Sequence, residues 1–189
     1  MAKSVKIVLA GEGGQGVQSV ANIIAEAANE EGKEALYIPN FGVEQRGGVS
    51  VAYMQITEGE AIGSPKFQKG DIVVALSDRA VLRTQKYVDE RTVFVYDASI
   101  EGIEDYLPKN AAKVLAIPAI EVSKKEFHPR VFNILIMGAV IAATGGVGLD
   151  EAKGAIEKKL GYKFEQNPKL RELNFGALDR GFNMVKDAL

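Results

Sequence analysis

An apolar run at residues 5–10 is followed by Gly11-Glu12-Gly13-Gly14-Gln15-Gly16. The run reads as a buried strand. Beyond the glycines, Val17, Val20, Ala21, Ile24, Ala25 and Ala28 fall on one face of a helix. The order is therefore strand, glycine turn, helix. Gly11, Gly13 and Gly16 have the spacing G-x-G-x-x-G, which aims free backbone N–H groups and the positive end of a helix dipole at one point. Such a turn suits a phosphate or another anion, and a Cβ there would block both the tight turn and the approach of a ligand. Gly11, Gly13, Gly14, Gln15 and Gly16 are accordingly the candidate cofactor-binding residues. The structural alternative is that the glycines only let strand and helix pack closely.

This is half of a dinucleotide fingerprint. A nicotinamide site needs an acidic residue about 20 positions on, at the end of the second strand, to hold the ribose 2′-OH. The second strand is expected at residues 34–38 and runs out into Pro39-Asn40-Phe41-Gly42, with no Asp, Glu or Arg at its end. Glu44 comes later, inside a turn-rich segment. The missing acid argues against a stand-alone nicotinamide or flavin enzyme.

Composition narrows the remaining classes. The chain has 189 residues, 47% hydrophobic and 25% charged, which suits one domain over residues 1–189 with a sizeable core. A net charge of −2 without a long basic run excludes nucleic acid as the main partner. The first apolar run is too short for a signal-peptide core. The longest, residues 131–143, contains Asn133 and falls short of a membrane span, so a soluble, cytoplasmic protein with no membrane partner is expected. Without cysteine the chain offers no thiol nucleophile and no cysteine ligand for zinc or iron–sulfur clusters. With His128 as its one histidine and no G-x-S-x-G elbow, it presents no catalytic constellation and no metal site. His128 precedes Pro129, where a helix-entry role is the natural reading.

Further strands are expected at residues 49–56, 71–76, 92–96 and 113–117, the last three as continuous apolar runs typical of parallel strands buried on both faces. Ser77 or Asp78 is placed to cap a helix over residues 79–88. Residues 131–144 are apolar nearly all round and predict a core helix ended by Gly145-Gly146. Helices follow at 149–160 and 169–189, the last expected to break or cap near Gly176 and Gly181. The pattern implies an α/β fold: a Rossmann-like, mostly parallel sheet with helices on both faces and a helical C-terminal part.

The segment Asn40-Phe41-Gly42-Val43-Glu44-Gln45-Arg46-Gly47-Gly48 joins a Glu and an Arg to two hinge-capable glycines. Together with Gly11-Glu12-Gly13-Gly14-Gln15-Gly16-Val17, it resembles the gamma subunit of the 2-oxoacid:ferredoxin oxidoreductases, a family whose members act on pyruvate, 2-oxoglutarate, ketoisovalerate or indolepyruvate. Ser64-Pro65 and the late helix with Asn133 and Gly138 are also similar to that family. The resemblance implies a subunit, inactive alone, of a complex that oxidatively decarboxylates a 2-oxoacid to an acyl-CoA and reduces ferredoxin. Thiamine diphosphate, magnesium and iron–sulfur clusters would reside on alpha, beta and delta-type sibling chains, with coenzyme A as co-substrate. Gly70-Asp71 is a faint echo of a thiamine-diphosphate motif, and Asp71 reads better as the residue entering a strand. The resemblance leaves room for a homodimer and for a purely structural adaptor.

Asn40, Glu44, Arg46, Gly47, Gly48 and Ser64 are the residues expected to face a partner or the active site. Glu44 and Arg46 lie two apart and would share a face of an extended segment, as a surface ion pair or jointly against a partner. Asn133 is expected to hydrogen-bond backbone near a strand end, since an unpartnered amide in an apolar helix is costly. Gly138 is expected to let its helix approach the sheet.

Overall fold

A computed structural model describes residues 4–41, 48–64 and 66–189. Among these, the strands are β1 (Ser4–Glu12), β2 (Glu34–Asn40), β3 (Val49–Thr57), β4 (Ile72–Ala75), β5 (Val93–Asp97) and β6 (Lys113–Ile117). The α-helices are α1 (Val17–Glu30), α2 (Asp78–Thr84), α3 (Ala119–Glu126), α4 (Phe132–Thr144), α5 (Leu149–Gln166) and α6 (Lys169–Lys186). The apolar runs of β1 and β4 are buried on both faces of the sheet, as continuous hydrophobicity requires.

The strands form one sheet in the order β2-β3-β1-β4-β5-β6. β1, β4, β5 and β6 pair in parallel, whereas β3 is antiparallel to both β1 and β2. The expected mostly parallel sheet is thus interrupted by one strand. The stretch between β2 and β3 is shorter than the dozen or so residues of a parallel crossover, so β3 must return as a hairpin. It fills the slot beside β1 that β2 would otherwise take.

The two faces are covered unequally. α1, α3, α4, α5 and α6 share a large core with one face, while α2 packs on β1 and β4 from the other. The centre of the large core is α4, where Ile134, Leu135, Ile136, Met137, Val140 and Ile141 are all buried. The helix is apolar all round because the sheet, α1, α3 and α6 surround it. It ends at Gly145 in the left-handed conformation, φ 58°.

Local capping follows the sequence. Ser77 Oγ accepts from the Ala80 N–H at the start of α2, which gives way to a short 3₁₀ turn at Gln85–Tyr87. His128 Nδ1 accepts from the Arg130 N–H at the turn leading into α4, so the lone imidazole is a helix-entry residue.

Two glycine expectations are corrected. α6 continues unbroken through Gly176 and Gly181, and Gly138 faces α6 rather than the sheet. A Cβ on Gly138 would lie 2.1 Å from Leu178 O, and one on Gly181 would lie 1.9 Å from Leu135 O. The two helices therefore touch backbone to backbone, and the close approach repays the poor helix propensity of both residues. Gly138→Ala or Gly181→Ala should destabilise the protein by about 3 kcal/mol or more, because backbone cannot yield as a flexible side chain can. Gly161→Ala, in α5 with nothing within 4 Å of the added Cβ, should instead stabilise it by about 0.5–1 kcal/mol. Chemical denaturation of the three variants measures both.

Candidate functional site

β1, β2, β4, β5 and β6 run in one direction, so the turns after them share one edge of the sheet. From β1 the chain passes to α1 on the large-core face, and from β4 to α2 on the other. Neighbouring parallel strands that diverge in this way open a crevice between their carboxyl ends, the usual ligand position in α/β folds.

That crevice is occupied here by the side chain of Gln15. Its Oε1 accepts from the Glu12 N–H at 2.6 Å, and its Nε2 donates to Leu76 O at 2.8 Å. One amide thus ties the end of β1 to the end of β4. Gly11 makes the seat, since a Cβ there would lie 2.6 Å from Gln15 Oε1 and 3.2 Å from Leu76 Cβ. Gly13 and Gly14 differ, with nothing within 4 Å of an added Cβ, so their backbone stands clear of the protein.

Gly16 is the N-cap of α1, left-handed at φ 76°, with no side chain capping the helix and no acidic residue in its first turn. Asn133 presses on it: a Cβ on Gly16 would lie 2.7 Å from Asn133 Cβ and 3.1 Å from Nδ2. Asn133 is half-buried at the start of α4, and its role is packing against the glycine turn rather than the expected bond to strand backbone. Glu12 reaches across the edge to Arg79 of α2, Oε1 to Nε 3.1 Å.

Two anchors at this edge escape a reading by motif. Gln18, in the first turn of α1, donates to Ser50 Oγ and Val51 O and accepts from the Tyr37 hydroxyl, binding α1 to β2 and β3. Asp97 is fully buried at the end of β5, where its carboxylate accepts from Ser99 N, Ser99 Oγ and the Ile120 N–H that opens α3. A charge ending an apolar run was its signal in the sequence. At the opposite edge Asp71 enters β4 as expected, its carboxylate accepting from the Lys6 N–H at 2.7 Å.

Of the expected partner-facing residues, Asn40 and Gly48 lie at the carboxyl edge, since Asn40 pairs with Val51 and Gly48 precedes Val49, the partner of Glu12. Glu44, Arg46 and Gly47 lie outside the described residues. Ser64 is not brought to this edge. Its carbonyl accepts from Gln55 Nε2, and Gln55 pairs with Lys6, five residues before Gly11 along β1. At about 3.3 Å per residue that is about 17 Å away. Ser64 lines a separate basic cleft of about 470 Å³ with Lys6, Lys69 and Arg91.

Beside Asn40 opens a second cleft of about 510 Å³, walled by Ile38, Phe41, Tyr53, Phe67 and Tyr87. The Tyr53 and Tyr87 hydroxyls share a hydrogen bond of 2.7 Å. Burial pushes the Tyr53 phenol up to about 12, the Tyr87 hydroxyl adds to the shift, and Asn40 and Lys86 oppose it. The Tyr53 phenol is therefore uncharged at neutral pH. Among the described residues no group of three His, Cys, Asp or Glu side chains could hold a metal, and no helix is long and apolar enough to cross a membrane.

Residues 6–184 match the family described as pyruvate ferredoxin/flavodoxin oxidoreductase. The chain belongs to this family. The ketoisovalerate oxidoreductase subunit VorA of Methanothermobacter thermautotrophicus is 30% identical over 97% of this chain, which spans only 37% of that relative's length. The 2-oxoglutarate synthase subunit KorC of Archaeoglobus fulgidus is 32% identical, over 93% of this chain and 88% of its own. Among solved structures, the gamma subunit of a keto/oxoacid ferredoxin oxidoreductase from Geobacter sulfurreducens superposes with a TM-score of 0.80 at 27% identity, over 98% of both chains. A 2-oxoglutarate:ferredoxin oxidoreductase from Magnetococcus marinus, solved with 2-oxoglutarate, coenzyme A and succinyl-CoA, shares the fold at a TM-score of 0.87 and 24% identity. This chain covers 99% of itself but 32% of that protein.

The family match leaves the role of Gln15 to geometry. Gln15→Leu should cost about 1–3 kcal/mol, because the Glu12 N–H and the Leu76 carbonyl each lose a partner. Urea denaturation tests this, and an unchanged midpoint would show that the Gln15 bridge is dispensable.

Proposed function

We propose that residues 1–189 form the gamma subunit of a cytoplasmic 2-oxoacid:ferredoxin oxidoreductase complex. The observation that carries this reading is a match along nearly the whole chain to a gamma subunit of the same extent, combined with a sequence that has no cysteine. In the reaction, a 2-oxoacid loses carbon dioxide, its acyl group passes to the thiol of coenzyme A, and the released electrons reduce ferredoxin. Thiamine diphosphate, magnesium and iron–sulfur clusters supply that chemistry on alpha, beta and delta-type siblings. The residues present here do not fit such groups: the chain has no cysteine to ligate a cluster, and Asp71 is already committed to Lys6.

The chain's own contribution is presentation. Gln15 locks the β1–β4 edge, Gly16 opens α1 without a side-chain cap, and Gly13-Gly14 stand clear in front of it. Their N–H groups donate to an anion, either a phosphate of coenzyme A or a carboxylate of a sibling chain. Asn40, which ends β2, and Gly48, which precedes β3, lie at the same edge and face the same partner.

The isolated chain should reduce neither ferredoxin nor a viologen dye with any 2-oxoacid plus coenzyme A, whereas the assembled complex should. Gly13→Val has room for its side chain and should fold normally. It should still lower turnover of the complex about tenfold or more, because the added side chain bars the anion from a charge-assisted contact of about 1.5–3 kcal/mol. Turnover by the pure chain would overturn the subunit reading, and full activity of the variant complex would overturn the role of the loop.

A further inference from the structure

On the large-core face of β3, the long apolar side chains run out before the strand reaches the carboxyl edge. Ile56 and Met54 give way toward that edge to the small Ala52, and then to Ser50, which alternation places on the same face. Gln18 of α1 takes over there with three hydrogen bonds. Its Nε2 donates to Ser50 Oγ at 2.5 Å and to Val51 O at 3.2 Å, and its Oε1 accepts from the Tyr37 hydroxyl at 2.5 Å. Burial pushes the Tyr37 phenol up from its ordinary value, so it is a neutral donor at physiological pH. Among the described residues, every hydrogen bond between α1 and the β2–β3 pair runs through this one amide.

The strand register shows what the amide holds together. Ser50 pairs with Gly11, the first glycine of the turn, and Val51 pairs with Asn40, the last residue of β2. Gly48 lies two residues before Ser50, and Gln18 lies two residues after Gly16, the N-cap of α1. Gln18 therefore stands between the glycine turn and the hairpin end that carries Asn40 and Gly48. With both of its N–H groups and its carbonyl engaged, the amide has one orientation. Two contact points on one rigid body engage a partner surface together. When one floats relative to the other, ordering it costs free energy at the moment of binding.

We propose that Gln18 is a positioning residue: it fixes the β2–β3 end that carries Asn40 and Gly48 against the start of α1, so that this end and the glycine turn meet one partner surface together. The proposal rests on the gamma-subunit reading and on the anion-binding role of the glycine turn given above. Gln18 acts through Tyr37, Ser50 and Val51 and makes no contact with the anion itself. Its loss leaves the N–H groups of the glycine turn in place and weakens their cooperation with the hairpin end.

The test is a double-mutant cycle between Gln18→Met and Gly13→Val in the complex reconstituted with the sibling chains of the same source. Two quantities are read: the kcat/KM for coenzyme A, and the affinity of assembly by sedimentation. The first falls if the anion is a coenzyme A phosphate, the second if it is a carboxylate of a sibling chain. Gln18→Met keeps the side-chain length and should lower the affected quantity about threefold to tenfold in the wild-type background. Beside Gly13→Val it should lower it by less than about twofold, because the turn then has no contact left to coordinate. Tyr37→Phe removes one of the three hydrogen bonds and should show the same pattern at smaller size, and it carries the cycle if Gln18→Met melts below the assay temperature. A merely structural role would lower both backgrounds by the same factor, and such additive losses overturn the positioning role alone, as does a Gln18→Met complex equal to wild type. An inert Gly13→Val overturns the role of the loop and this proposal with it. Failure of the wild-type complex to assemble or turn over overturns the gamma-subunit reading as well.

Discussion

Gln15 spans the carboxyl ends of β1 and β4 and uses both functions of its amide there, accepting from one strand end and donating to the other. Its seat exists because Gly11 has no Cβ, and its backbone follows from the turn that Gly14 and Gly16 make at positive φ. Dinucleotide-binding folds leave this switch-point crevice open for a pyrophosphate. Filling it from within changes what the glycine turn can do: the loop no longer wraps a ligand in the crevice but offers its outer backbone to whatever approaches the edge. The hairpin insertion of β3 acts in the same direction. It moves the end of β2 one strand further from β1, about 4.8 Å, and with it the position from which a ribose-binding acid would act.

The strand–turn–helix unit, the buried parallel strands, the apolar α4 and the caps at Ser77 and His128 were all legible in the sequence, because each is set by local periodicity or a short-range hydrogen bond. The antiparallel placement of β3 was not, since its alternating pattern is compatible with several neighbours and pairing is a long-range outcome. Gly138 looked like a sheet contact and Gly181 like a helix break or cap. They are the two halves of one helix crossing, which becomes visible only when residues far apart in sequence are brought together. Ser64 was grouped with Asn40 and Gly48 as facing a partner or the active site, and the β1–β3 register separates it from them. The dual engagement of Gln15 left no trace in sequence either, because an amide in a glycine turn reads equally as a ligand contact.

The molecule thus divides its work between two regions. The carboxyl edge of the sheet is held by Gln15 between β1 and β4, by Gln18 on β2 and β3, and by the buried Asp97 at the end of β5. The β2–β3 side carries the cleft walled by Tyr53, Phe67 and Tyr87.

Calorimetric titration of the isolated chain with NADH and with FAD bears most directly on this account. A crevice closed by Gln15, with no acid at the end of β2, should give no saturable binding of either nucleotide. Stoichiometric binding in the micromolar range would show that the Gln15 bridge yields to a ligand and that the chain is a nucleotide-binding enzyme in its own right.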